Sequence, residues 1–302
     1  MLKLLVKGFA MGVADIVPGV SGGTIAFITG IYSTLIESIS SVNVLFLKKI
    51  LNFKFQEAYG HINGAFLVPL LIGILIAIIS MSRLMHFLMT SYQVYTWSFF
   101  FGLVAVSIIY IMKQIKSFKS VKNICFIFFG CALGVVIVSL VPVETSDSNL
   151  FIFISGMIAI CAMILPGISG SFLLLILGKY ASVTGALKSP FLASNLEIII
   201  VFAMGCLLGI LSFSKVLNFL LRKHQAVMMS FLTGFMLGSL KKIWPWKQTL
   251  ETQVIRGKSY ILREANTLPS EMSQEAIFSI LLVITGFSII FIVESISNKK
   301  GI

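Results

Sequence analysis

Apolar residues run along this chain in long blocks without the two-residue alternation of a strand. Residues 64–82, 94–112 and 124–142 form three such blocks, and 196–214, 226–240 and 276–296 form three more, each bounded by polar or charged stretches. A helix needs about 20 apolar residues to cross the hydrocarbon core of a bilayer. Lipid offers the backbone no hydrogen-bond partners, so a spanning segment is a helix or part of a closed barrel. The run at 67–79 shows no strand period, which favours helices. Two further apolar stretches, 2–40 and 150–187, are broken near their middles by proline and glycine. Each is expected to form a re-entrant helical hairpin that enters the membrane, turns and returns to the same side.

The chain is written twice. Pro18-Gly19-Val20-Ser21-Gly22-Gly23 returns 148 residues later as Pro166-Gly167-Ile168-Ser169-Gly170-Ser171, and at the same offset Gly30 and Tyr32 match Gly178 and Tyr180. A second block repeats at an offset of 132: Gly73, Ser80, Ser82, Arg83, Phe87 and Leu88 match Gly205, Ser212, Ser214, Lys215, Phe219 and Leu220. Two blocks in the same order, each extended by further identities, mark a duplication. The first repeat covers 1–142, with its hairpin at 2–40. The second covers 150–298, with its hairpin at 150–187. The predicted fold is an all-α integral membrane protein in which each repeat is a re-entrant hairpin followed by three transmembrane helices. An odd number of crossings per repeat inserts the second repeat upside down, the inverted topology of many secondary transporters.

Composition narrows the class. Hydrophobic residues make up 58% of the chain and charged residues 11%, with a mean hydropathy of +1.02. Soluble domains carry roughly 25% charged residues. The net charge of +12 would suggest nucleic acid on a soluble protein, but here the cations sit in short loops, where they set membrane orientation. With both termini cytoplasmic, Lys48, Lys49, Lys54, Lys113, Lys116, Lys119, Lys122, Arg222, Lys223, Lys299 and Lys300 all lie inside, and Glu144 and Asp147 outside. The loop 241–275 then lies on the extracytoplasmic side despite six cations against four acids. Its mixed polar content suggests a flap or an interfacial helix. Cys125, Cys131, Cys161 and Cys206 lie inside apolar runs without a CxxC pair, which predicts packing residues rather than disulfides or zinc ligands.

Candidate chemistry concentrates at the two breaks. Proline stops a helix and glycine permits a sharp turn, so Pro18, Gly19, Pro166 and Gly167 are the expected hairpin turns. A broken backbone within a membrane is tolerated where it is buried in protein or lines a cavity. Helices starting after Ser21 and Ser169 would present amides and the positive end of the dipole to an anion. Ser21, Gly22, Gly23, Thr24, Ser169, Gly170 and Ser171 are therefore the candidate phosphate-binding residues. Arg83 and Lys215, repeat-equivalent cations flanked by apolar sequence, either join them or snorkel to the interface. Asp15 stands before the first break where the second repeat has Met163. An acid at depth is a candidate coupling group, or else a local partner for hairpin amides. No metal-ligand spacing and no nucleophile–base–acid set is visible, so neither a metal, a cofactor nor catalytic residues are expected.

The stretch from Gly12 through Asp15, Pro18-Gly19-Val20-Ser21-Gly22-Gly23-Thr24 and on to Gly30-Ile31-Tyr32 resembles the signature of the bacterial polyprenyl-phosphate transporter family, and Leu165 through Tyr180 matches it again. That resemblance implies a plasma-membrane flippase that returns undecaprenyl phosphate from the outer to the inner leaflet, recycling the carrier lipid for cell-wall synthesis. A phosphate head suits two hairpin tips, while a long apolar tail stays in lipid, so the site should open sideways to the bilayer. Moving an anion inward against an inside-negative potential costs ~2.3 kcal/mol per charge per 100 mV, which a coupled proton or sodium ion would offset. Two other classes compete with this reading. One is a transporter of a small soluble anion; the other is an intramembrane lipid-phosphate enzyme.

Overall fold

The computed structural model describes the backbone of every residue except Pro18, Lys116, Glu144, Asp147, Arg256, Gly257, Ser270 and 300–302; side chains at 194, 253–262 and 290–299 also fall outside the described set. The hairpin residue Pro18 and the loop charges Lys116, Glu144, Asp147 and Lys300 thus lie outside the described residues.

The protein is mostly helical. The first repeat opens with α1 (Leu2–Ile16), α2 (Gly22–Ile28) and α3 (Tyr32–Ser40), followed by two short helices, α4 (Val44–Leu51) and α5 (Phe55–His61). Three long helices come next: α6 (Gly64–Ser91), α7 (Gln93–Gln114) and α8 (Val121–Val138). The second repeat has α9 (Asn149–Ile164), α10 (Gly170–Ile176) and α11 (Tyr180–Lys188), then α12 (Ala193–Lys223) and α13 (Gln225–Ile243). Two strands, β1 (Lys247–Ile255) and β2 (Lys258–Asn266), precede the last helix, α14 (Gln274–Lys299). Five of these helices, α6, α7, α8, α12 and α13, are long and apolar enough to cross a membrane. Many of their large apolar side chains, such as Leu71, Leu75, Ile79, Leu207 and Phe219, are exposed, as lipid-facing positions are.

The element boundaries follow the duplication. α2 and α10 begin at Gly22 and Gly170, and α3 and α11 at Tyr32 and Tyr180, 148 residues apart. α7 and α13 begin at Gln93 and Gln225, 132 apart. The breaks repeat as well: Gly19 and Gly167 have φ of 85° and 96°, and Gly30 and Gly178 have φ of 71° and 66°. L-residues with a side chain rarely adopt such angles.

Three details differ from the sequence reading. Each broken apolar stretch has a second bend, at Gly30 and at Gly178. Two short helices thus follow each break, with α10 and α11 inclined at 116°. Second, α6 and α12 run to Ser91 and Lys223, well past the expected ends at 82 and 214. Apolar residues resume after Arg83 and Lys215, and Ser80 Oγ donates to the Ile76 carbonyl and Ser212 Oγ to that of Leu208, both at 2.6 Å, so each hydroxyl is satisfied within the helix. At 28 and 31 residues these helices measure about 42–46 Å, longer than the hydrocarbon core. Third, the middle of the 241–275 loop forms two strands instead of the expected flap or interfacial helix. β1 and β2 pair antiparallel, Lys247 opposite Asn266 and Ile255 opposite Lys258, so the fold is not purely helical. Threonines and branched apolar residues favour this pairing; counting the segment's charges alone conceals it.

Two compact units emerge, and neither follows the repeat boundary. The first holds 1–83 and 142–228. Here α1 packs on α6 where Gly8 lies against the Leu70 carbonyl and Gly73 against that of Leu5. α9 packs on α12 in the same manner, Gly156 against Phe202 and Gly205 against Phe153. Small residues let the backbones approach this closely. Cys161 and Cys206 sit in the second crossing, their thiols donating to the Gly209 and Gly156 carbonyls. α3 also packs on α12, joined by the Arg222–Glu37 ion pair and by Asn218 Nδ2 donating to Ser40 Oγ at 2.8 Å. α4 buries none of its side chains. Leu45, Leu47 and Leu51 are exposed beside Lys48 and Lys49, the composition of a helix lying in a membrane interface.

The second unit holds 84–141 and 229–302. α7 meets α14 with Gly102 against Val283 and Gly286 against Phe99; α8 meets α13 with Gly130 against Phe231 and Gly234 against Ile127. Each pair joins one helix from each repeat. The β-hairpin is tied to α7 by Lys247, whose Nζ lies 4.5 Å from the Trp97 ring centroid, and is braced internally by Lys247 Nζ at 3.4 Å from Glu264.

Candidate functional site

All the candidate residues belong to the first unit. At the first break, Val20 N–H donates to the Val17 carbonyl at 3.1 Å, closing a turn around Gly19. Ser21 caps α2, accepting from Gly23 N–H at 3.0 Å, and Thr24 N–H donates to the Ser21 carbonyl at 2.9 Å. Asp15, in the last turn of α1, receives Gly22 N–H at 2.6 Å. A side chain on Gly22 would put Cβ 2.5 Å from that carboxylate, so the contact requires glycine. Lys7 closes the other end of α2, donating to the carbonyl of Thr29, the residue after its last turn, at 2.9 Å. The short helix therefore has an internal carboxyl group at its positive end and an internal amine at its negative end.

This changes one expectation. Free amides were predicted at the start of α2. Those of Gly22, Gly23 and Thr24 are instead bonded to Asp15 and Ser21.

The second break is built alike but satisfied differently. Leu165 is extended, Gly167 is left-handed and Ser169 precedes α10 in an extended conformation. Ser169 makes no capping bond; its Oγ lies 2.6 Å from Ser171 Oγ. Gly170 faces the Ala159 carbonyl, which a Cβ would meet at 2.6 Å.

The two breaks, 148 residues apart in sequence, touch. Ser21 Oγ donates to the Met163 carbonyl at 2.9 Å. Gly167 N–H donates to Thr24 Oγ1, also at 2.9 Å and buried. Gly23 faces the Ile164 carbonyl so closely that a Cβ would lie 2.5 Å from it. Ser21 and Thr24 are fully buried and Ser169 nearly so. The tips meet directly rather than across a gap.

Arg83 and Lys215 are exposed. Neither bonds to a tip among the described residues. In the crossings, α1 runs along α6 with Gly8 at Leu70 and Gly12 at Ile74 and Ala77, and α9 runs along α12 with Met157 and Ile160 at Gly209.

A family model described as undecaprenyl phosphate translocase-like matches residues 11–260. The chain belongs to that family. It is 42% identical over 99% of its length to a polyprenyl-phosphate transporter of Vibrio cholerae, of which 97% is covered. It is 35% identical over 80% of its length to a polyprenyl-phosphate transporter of Staphylococcus aureus, with 85% of that protein covered. No solved structure matches. The family match spans both breaks, Asp15, Arg83 and Lys215, so every candidate residue lies in the shared region.

Two buried groups escaped the sequence reading. Lys179, beside the second bend, is 1% exposed and donates to the Thr145 carbonyl at 2.9 Å. The Met163 and Ile164 carbonyls form half of the contact between tips. Backbone groups leave no trace in residue identity, and a lone lysine beside a glycine reads as an exposed cation.

Proposed function

We propose that the protein is a flippase for polyprenyl phosphate, undecaprenyl phosphate foremost, moving it from the outer to the inner leaflet of a bacterial plasma membrane so that the carrier lipid re-enters cell-wall synthesis. One observation carries the reading: two repeat-related breaks, lined by hydroxyls and glycines, meet inside a chain of this family. The phosphate head is received at the tips, by Ser169, Gly170 and Ser171 from the second and by Ser21, Gly22 and Gly23 from the first once their present bonds rearrange. Arg83 and Lys215 supply positive charge, Arg83 with the fork geometry that suits phosphate oxygens. The isoprenoid tail stays in lipid beside α6 and α12.

In this reading the repeats are inverted in the membrane, each hairpin enters and returns to the same side, both termini are cytoplasmic and the β-hairpin loop is extracytoplasmic. Inward movement of the anion is driven by a coupled proton or sodium ion, with Asp15 as the coupling group.

Purified protein in liposomes, with labelled undecaprenyl phosphate in one leaflet, tests the proposal. Leaflet exchange is expected above that of empty liposomes, and slower for Ser169→Ala/Ser171→Ala protein that still elutes as an assembled species. Exchange no faster than in empty liposomes overturns it. Uptake of free inorganic phosphate would instead indicate a soluble-anion transporter, and release of inorganic phosphate from the lipid an enzyme.

A further inference from the structure

The contact between the tips is one-sided. Every side-chain group in it comes from the first repeat, and every partner is a backbone group of the second: Ser21 Oγ–H to the Met163 carbonyl, Thr24 Oγ1 from Gly167 N–H, and the bare face of Gly23 against the Ile164 carbonyl. The repeat cannot return these contacts. The counterpart of Thr24 is Phe172, which has no hydroxyl, and the counterpart of Gly23 is Ser171, whose side chain would occupy the space Gly23 leaves open. Ser169, the counterpart of Ser21, turns its hydroxyl to Ser171 within its own tip. A duplicated pair of tips has therefore acquired two different jobs.

We infer that Ser21, Gly23 and Thr24 form a latch that holds the two tips shut in the lipid-free protein and must release before a head group can lie between them. The inference rests on the flippase reading for what passes through, but the latch itself is a property of the empty protein. With Gly23 seated on the Ile164 carbonyl there is no room for a phosphate between the breaks. Thr24 is then a positioning residue that sets how often the tips part. Its effect on transport runs through the Gly167 amide rather than through direct contact with phosphate. The pairing is also specific in chemistry. Gly167 N–H is buried and needs an acceptor, which serine in place of Thr24 supplies and valine does not.

The test uses the full chain with its four cysteines replaced and a single cysteine introduced by Ile168→Cys. Ile168 lies in the second tip and is 2% exposed, so a small maleimide reaches it only when the tips part. In detergent without lipid substrate, Thr24→Val is expected to raise the alkylation rate about tenfold, the population shift that loss of one net hydrogen bond produces. Thr24→Ser should keep the parent rate. Ser21→Ala, which removes one donor and adds no bulk, should act in the same direction and carries the test if Thr24→Val does not assemble. In leaflet exchange, Thr24→Val should change the maximal rate while leaving the lipid concentration for half-maximal exchange within about twofold, and Thr24→Ser should restore the parent rate. Unchanged alkylation in both Thr24→Val and Ser21→Ala overturns the latch. So does a Thr24→Val protein whose sole defect is a raised half-maximal lipid concentration, since that is the mark of a phosphate ligand. The alkylation result is read without any transported lipid, so failure of the flippase reading and failure of the latch are told apart.

Discussion

Lys179 Nζ lies 2.9 Å from the carbonyl oxygen of Thr145, in surroundings that leave the lysine 1% exposed. Around this bond, Val143 N–H donates to the Ile176 carbonyl at 3.0 Å and Thr145 Oγ1 to that of Leu177. The segment that enters the second repeat is thereby stitched to the bend between α10 and α11. Replacing Lys179 by methionine keeps the bulk and removes the donor, leaving a buried carbonyl unpaired at a cost of about 1–3 kcal/mol. Lys179→Met protein is expected to melt at a lower temperature in detergent than the parent. Unchanged melting would show that the stitch contributes nothing.

Glycines divide into two groups with opposite expected responses to alanine. Gly8 and Gly156 lie against the carbonyls of Leu70 and Phe202, backbone atoms that cannot swing away. Gly8→Ala and Gly156→Ala must force α1 from α6 and α9 from α12, with overpacking costs of about 1–3 kcal/mol each. Gly185, inside α11, has nothing within 4 Å of its would-be Cβ, and alanine there should stabilise the helix by about 0.5–1 kcal/mol. Thermal unfolding of the three single variants decides the matter; a Gly8→Ala protein as stable as Gly185→Ala would mean that the crossing is not tight.

How much of this was legible beforehand depends on the kind of signal. The duplication was readable because glycines recur where the backbone turns left-handed, and the positions of the long helices followed from the apolar blocks. The second bend, at Gly30 and Gly178, was not: a matched glycine marks a special backbone without saying how sharply it bends. Asp15 stood out as an acid in apolar sequence, but its bond to Gly22 depends on how α1 folds back on α2. Arg83 and Lys215 read as the ends of spans because charge normally closes an apolar run; the helices continue because apolar residues resume after each cation, Leu84, Met85, Phe87 and Leu88 in one and Val216, Leu217, Phe219 and Leu220 in the other. The β-hairpin was hidden by averaging over a polar loop.

Lys247 makes the β-hairpin sensitive to pH. Burial pushes its ammonium down to about 8, with Glu264 partly opposing and Lys242 adding to the effect. Burial pushes the Glu264 carboxyl up, but Lys247 and Lys242 outweigh it and hold the group below its ordinary value. For Lys247 the unfolded chain binds more protons than the folded one between about pH 8 and its ordinary value of 10.5, so its contribution to hairpin stability rises with pH through that window. Stability from Glu264 is present above the ordinary carboxylate range and is lost as pH falls through its lowered value. The chain's three tryptophans, Trp97, Trp244 and Trp246, gather around this cluster. Intrinsic fluorescence is therefore expected to titrate with a midpoint near pH 8 in the parent and to be flat over that range in Lys247→Met. A midpoint that survives the substitution would place the titration elsewhere.

Asp15 separates charge from hydrogen bonding at the first tip. Asparagine retains an acceptor for Gly22 N–H but carries no charge, whereas alanine removes both. If Asp15 couples transport to an ion, Asp15→Asn should still exchange polyprenyl phosphate between leaflets down its own gradient, yet lose any acceleration from an imposed proton or sodium gradient. Asp15→Ala should be slower even without a gradient, because the Gly22 amide is left without its partner and α2 loses the carboxyl group at its positive end, a loss of about 1–3 kcal/mol in the ordered tip. The measurement is the initial exchange rate in liposomes with matched and stepped pH or sodium across the membrane. An Asp15→Asn protein that responds to those steps as the parent does would remove Asp15 from the coupling role and leave it as the structural partner of α2.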